Sequence, residues 1–143
     1  MTELLLQVDP AALSTAQQKG VDFSRRRVYT KAPVRKSHKL LLDAMLQEAH
    51  LLGVQKYCGP ATAWRVCVEY IYKPRTLRRK DFGAPKTTRP DLDNLTKSVL
   101  DALTESGLAF YDDSQVAALE MSKRYAWGFD SAPLIRITFG PLK

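Results

Sequence analysis

Hydrophobic positions along the chain fall into short periodic runs separated by polar and glycine- or proline-bearing segments. Leu4, Leu5, Leu6 and Val8 make a short apolar strand that Pro10 stops. Residues 11–20 read as a loop or a short helical turn. Arg27, Val28, Tyr29 and Thr30 have the composition of a strand or a strand edge. From Pro33 to Leu52 the spacing becomes helical. Leu41, Met45, Ala49 and Leu52 form one stripe, Leu42 and Leu46 widen it, and Gly53 closes it. Residues 63–72 switch to strict alternation. Trp64, Val66, Val68, Tyr70 and Tyr72 face one way against Arg65, Cys67, Glu69 and Ile71, and the aromatic face is expected to cover the core. Leu92, Leu95, Val99, Ala102 and Leu103 return to three- and four-residue intervals, and Gly107 ends that helix at its C′ position. Val116–Tyr125 alternates as a strand, Gly128 and Pro133 mark a turn, and Leu134–Phe139 makes a last strand. There Ile135, Ile137 and Phe139 point inward, with Arg136 and Thr138 outward.

That order predicts an α+β chain: one domain over residues 1–143, with a mixed β-sheet of about four to five strands and two helices packed on it. No repeat or low-complexity tract asks for a second domain. Glu3 and a short apolar run exclude a signal peptide, and no stretch reaches membrane-spanning length. Cys58 and Cys67 lack zinc-type spacing and read as buried or semi-buried thiols in a reducing cytosol. His38 and His50 lie on the first helix without a partner at ligand spacing, so a solvent or packing role is expected. Met45 and the strand aromatics read as core.

Charge changes the picture. Twenty-two bases against fifteen acids give +7, which favours a polyanionic partner, most simply nucleic acid. The bases gather in two runs. Residues 19–39 carry eight, including Arg25, Arg26 and Arg27, against the single acid Asp22. Residues 73–90 carry Lys73, Arg75, Arg78, Arg79, Lys80, Lys86 and Arg89 against Asp81, with Pro74, Gly83 and Pro85 breaking regular structure. A run of charge is ordinarily a solvated face. A long, one-sided loop in a small domain points instead to a mobile basic arm that orders on a phosphate backbone.

Immediately after this arm the sign reverses. Between Asp91 and Asp113 stand six acids (Asp91, Asp93, Asp101, Glu105, Asp112 and Asp113) and one base, Lys97. Concentrated carboxylates repel one another unless a cation sits among them, and their oxygens suit a hard divalent ion. Pro90 biases the chain towards an extended shape. If Asp91–Asp93 is extended, both carboxylates point to one side and can share an ion. If the helix has already begun at Asp91, they diverge. The metal reading therefore needs the helix to start at about Asp93. Lys97 shares a helix face with Asp93 and Asp101, one turn along. The competing reading is structural: Asp caps helix amides, and Asp-Asp before a strand is an ordinary turn.

The residues Asp91, Leu92, Asp93, Asn94, Leu95 and Lys97, then Asp101, Ala102, Leu103 and Gly107, then Asp112, Asp113, Gln115 and Val116 spell D-L-D-N-L-x-K, D-A-L, Gly, D-D-x-Q-V. This pattern resembles the signature of the RusA-type Holliday junction resolvases. The close match covers about a fifth of the chain. The resemblance implies a homodimeric, Mg²⁺-dependent endodeoxyribonuclease that resolves four-way DNA junctions by paired symmetric nicks in recombination and repair. It implies metal-binding aspartates at Asp91, Asp93 and Asp113 (the second Asp of its pair) and an essential Lys97. Mn²⁺ is expected to substitute for Mg²⁺, and the protein is expected to be cytoplasmic, bacterial or phage-encoded. Under this reading the two basic runs hold the DNA backbone without reading its sequence. Two rivals stand beside it: a nuclease of broader taste that cuts flaps, forks or duplex, and a binding module whose acids are only caps.

Overall fold

The structure, a computed structural model, describes residues 1–14, 19–22, 27–30, 32–74, 79–128 and 131–142. For residues 19–22, 27–30, 32 and 79 it describes the backbone alone. In chain order the elements are β1 (Thr2–Leu6), β2 (Lys19–Asp22), β3 (Arg27–Thr30), α1 (Ala32–Leu52), β4 (Trp64–Tyr72), α2 (Leu92–Ser106), β5 (Val116–Tyr125) and β6 (Leu134–Pro141). Short 3₁₀ turns lie at Pro10–Ala12, Arg79–Asp81 and Asp113–Gln115. The main sheet has four strands in the order β1-β6-β4-β5. β6 is antiparallel to β1 and to β4, whereas β5 runs parallel to β4, so the sheet is mixed. The α+β class and two-helix, one-sheet arrangement expected from the pattern hold. The pattern did not foresee β2, which pairs with β3 in a separate antiparallel ribbon.

The alternation in β4 does what it promised. Val66, Val68 and Tyr70 are fully buried and oppose Phe139, Ile137 and Ile135 of β6. Ile137 in turn faces Leu4 of β1, so one apolar row crosses three strands. Onto this face pack Leu41, Met45 and Ala49 of α1 and Leu95, Val99, Ala102 and Leu103 of α2. The helices also meet each other: His38 of α1 hydrogen-bonds the Glu105 carboxylate of α2, a partner that spacing along the chain did not suggest. The other face of the sheet is polar, and Glu69 accepts hydrogen bonds from Arg124 at 3.2 Å and Arg136 at 3.1 Å. Cys58 is exposed and Cys67 half-buried, so only the second thiol is shielded as expected.

Parallel neighbours need a crossover, because a tight hairpin can join only antiparallel strands. Here α2 is that crossover, between β4 and β5. Its docking is fixed by its apolar stripe and by one buried polar contact, Tyr70 Oη to Thr96 Oγ1 at 3.0 Å. Burial pushes the Tyr70 phenol well above its usual range, so it stays neutral there. The helix ends as a C′ glycine dictates: Gly107 sits in the left-handed region at φ 72°, and its amide donates to Thr104 O.

Ile137 lies at the centre of the apolar row with no exposed surface. Ile137→Ala is expected to cost about 2–5 kcal/mol in a denaturant unfolding experiment. The control Leu51→Ala, on the exposed side of α1, is expected to stay within about 0.5 kcal/mol of the parent.

Candidate active site

The acidic stretch is built around the two ends of α2. At its start, Asp91 is the N-cap, with extended backbone at φ −73° and ψ 143°, and its carbonyl accepts the first helical bond from Leu95 N at 3.1 Å. The helix begins at Leu92, one residue earlier than the metal reading preferred, yet Asp91 itself stays outside it. An Asp at an N-cap normally accepts from the amides of the first turn. Asp91 makes no such side-chain bond, so its carboxylate is not spent on capping. Asp93 follows within the first turn, and Lys97 lies one turn further. The side chains of Asp91, Asp93, Lys97 and Asp101 are all exposed.

The second acidic pair is differently used. Asp112 caps the turn at Asp113–Gln115: its carboxylate accepts from Ser114 N, and Gln115 Oε1 accepts from Asp112 N at 3.1 Å and Tyr111 N at 2.9 Å. Gln115 Nε2 also donates to Thr62 O at 2.9 Å, tying the turn to the segment before β4. The hydrogen bond from Ser114 holds the Asp112 carboxyl below its usual range. Asp113 lies outside this cap. Its carboxyl is pushed up, first by the hydrogen bond with Asp112, then by desolvation and the charges of Asp112 and Asp101. The charges that act on it are those of Asp112 and Asp101.

The topology explains why. α2 runs back from the end of β4 to the start of β5, so Asp91 and Asp93 sit at one end of β5 and Asp113 at the other. Asp101, which Asp113 senses, is eight residues beyond Asp93, about 12 Å along the helix. Among the described residues no group of three or more His, Cys, Asp or Glu side chains stands at metal-binding spacing. The pair Asp91 and Asp93 therefore shares an end of α2 with Lys97, while Asp113 stands apart with Asp112.

The basic segment 73–90 is in part fastened down. Residues 75–78, with Arg75 and Arg78, lie outside the described residues, as do Arg25 and Arg26; for Arg27 and Arg79 only the backbone is described. From Gly83 onward the chain runs along β5. Gly83 N donates to Ala126 O, Tyr125 N to Ala84 O, and Lys86 N to Lys123 O, at 3.0–3.1 Å. Lys73, Lys80 and Arg89 are exposed. Lys86 is not: it is 5% exposed, its Nζ lies 5.0 Å from the centroid of the Tyr72 ring, and it donates to Arg89 O at 2.9 Å and to Thr88 Oγ1. Lys123, to which sequence reasoning gave no role, donates from Nζ to Thr88 O at 2.6 Å and to Pro90 O at 2.7 Å. Its signal was present in the strand: Lys123 shares the alternating face of Leu119, Met121 and Tyr125, a charge in an otherwise apolar register.

The family model described as Endodeoxyribonuclease RusA matches residues 10–137, most of the chain. No curated protein matches it. No helix among the described residues is long and apolar enough to cross a membrane.

The Asp113 shift makes a pH prediction. A carboxyl whose folded pKa is raised favours the folded state only while protonated, and that stability is lost as pH rises through the folded pKa. Asp113→Asn removes the repulsion without removing the side chain. In the absence of divalent cation its melting temperature is expected to exceed the parent's at neutral pH. The difference should close as pH falls below the ordinary Asp range of about 3.9. Thermal melts across that pH range check it.

Proposed function

The chain belongs to the RusA endodeoxyribonuclease family, enzymes that hydrolyse DNA phosphodiester bonds at Holliday junctions, and from that premise we propose that it resolves four-way junctions by paired nicks at the N-terminal end of α2. The observation that carries the reading is the uncapped Asp91 carboxylate, exposed beside Asp93 and one helical turn from Lys97, in a chain of net charge +7. A purely structural Asp at that position would cap the helix.

The donors suit a hard divalent cation. They are carboxylate oxygens, they are exposed, and that of Asp91 is not committed to a cap. Asp91, Asp93 and Asp113 would hold Mg²⁺, with Mn²⁺ as a substitute. The bound ion supplies Lewis-acid polarisation of the phosphate and a water of lowered pKa. Lys97 places an ammonium where negative charge grows on the phosphate. Because Asp113 lies at the start of β5 and Pro90, just before Asp91, meets Lys123 near its end, bringing Asp113 to the other pair takes either movement of the 112–115 turn or a carboxylate from a second copy. A two-fold homodimer presents two such sites, one for each strand cut in a symmetric junction. Exposed Lys73, Lys80 and Arg89 would hold the phosphate backbone, together with Arg25, Arg26, Arg27, Arg75, Arg78 and Arg79. The role served is recombination and repair.

The test is cleavage of a labelled four-way junction beside a linear duplex, with Mg²⁺ and with chelator. Symmetric paired nicks in the junction alone, requiring Mg²⁺, are expected. Equal cutting of duplex would keep the metal site and replace junction selectivity with a broader structure-selective nuclease.

A further inference from the structure

The three backbone carbonyls that precede Asp91 are all taken by lysine ammoniums. Lys123 Nζ donates to Thr88 O and Pro90 O, and Lys86 Nζ donates to Arg89 O. Lys86 also holds the Thr88 hydroxyl. The next carbonyl, Asp91 O, accepts the first helical bond from Leu95 N. Four consecutive carbonyls, residues 88–91, are therefore fixed, and the chain enters α2 along one path. The residue at the end of this path has a side chain that caps nothing. Backbone constraint and an uncommitted carboxylate meet at the same residue.

The lysines are themselves anchored. Lys86 Nζ stands within cation–π range of the Tyr72 and Tyr125 rings, at 5.0 and 5.9 Å. Its amide donates to Lys123 O, so the two clamps are joined through the backbone. Both rings belong to strands: Tyr72 ends β4 and Tyr125 ends β5, and the two are paired in register. The clamp thus refers the start of α2 to the rigid parallel strand pair. An ammonium has three donors and no acceptor, and here at least two donors of each lysine are spent on one three-residue segment. Such charges do not serve as DNA contacts in this arrangement.

We propose that Lys123 and Lys86 are positioning residues that hold the 88–90 backbone so that the Asp91 carboxylate is presented, preformed, to the divalent cation. The inference rests on the reading of Asp91 as a cation ligand. It assigns these two lysines to the site rather than to the DNA surface, and it separates them from Lys73, Lys80 and Arg89, whose side chains are exposed.

The variant to make is Lys123→Met, which keeps the aliphatic stem and removes the donors. Lys123 is only half-buried, so the carbonyls it releases can turn to water and the fold is expected to survive. Lys86→Met gives a second variant of the same prediction, and Lys123→Arg retains charge and donors. The probe is Mn²⁺, titrated calorimetrically into each protein without DNA, beside Asp91→Asn. Supporting groups behind a metal ligand typically contribute about 10–100-fold in metal affinity or activity. Lys123→Met is expected to weaken Mn²⁺ binding and lower the nicking rate at saturating junction by a factor in that range. Its junction affinity and melting temperature should stay at parental values, and Lys123→Arg should recover part of the loss. If Asp91→Asn weakens Mn²⁺ binding and neither lysine variant does, the positioning role is overturned while Asp91 remains a ligand. If no variant, Asp91→Asn included, changes Mn²⁺ binding, the ligand reading itself fails and takes this proposal with it. If Lys123→Met keeps its Mn²⁺ affinity but loses junction affinity, Lys123 is a phosphate contact and the proposal is overturned.

Discussion

Parallel pairing of β4 with β5 rules out a tight turn between them, and the position of every acid in the molecule's centre of interest descends from that constraint. The chain must leave β4 at Tyr72, travel back along the sheet, and enter β5 at Val116. α2 makes the return journey, held down by Leu95, Val99 and Leu103 and by the buried Tyr70–Thr96 contact. Its first turn therefore lies beside the ends of β4 and β5, and its last turn beside their beginnings. Asp91 and Asp93 inherit the first location, Asp112 and Asp113 the second. The residues 73–90 must bridge from β4 to the first turn, which is why a basic segment ends against an acidic one.

Two kinds of positive charge emerge from this arrangement. Lys73, Lys80 and Arg89 stand in solvent, where their contribution is a field that draws a polyanion and is screened by salt. Lys86 and Lys123 turn towards protein carbonyls and aromatic rings, where their contribution is local geometry. The acids divide likewise. Asp112 is occupied with capping, as an Asp before a strand commonly is, whereas Asp91 occupies a capping position and leaves it unused. Each class of charge is therefore divided between solvent-facing and structural members.

Periodicity made most of the fold legible. β4, α2 and β6 have strong alternation or strong 3–4 spacing, β5 alternates loosely, and their observed spans fall within a residue or two of what the pattern suggests. β2 was not legible because K-G-V-D offers no alternating apolar face. Pairing order was not legible either, since parallel register depends on contacts between residues far apart in the chain. The same holds for the site: the parallel register puts Asp113 at the start of β5, while Pro90, just before Asp91, meets Lys123 near its end. In a basic run Lys86 has the look of a surface charge, and only the strand pair beneath it reveals that its stem and head are enclosed. The motif residue Gln115, by contrast, proves to be a fastener between the 112–115 turn and Thr62. The family resemblance singles out the acidic stretch because several residue identities coincide in a fixed spacing.

The most direct test of the account is a comparison of the parent and Asp91→Asn proteins for junction binding and junction nicking in the same Mg²⁺ buffer. The account predicts that the variant binds a four-way junction at least as tightly as the parent, since a repulsive charge near the phosphates is gone, and that it produces no nicks. Nicking at the parental rate by Asp91→Asn would contradict it, and the uncapped carboxylate at the head of α2 would then have no part in the chemistry.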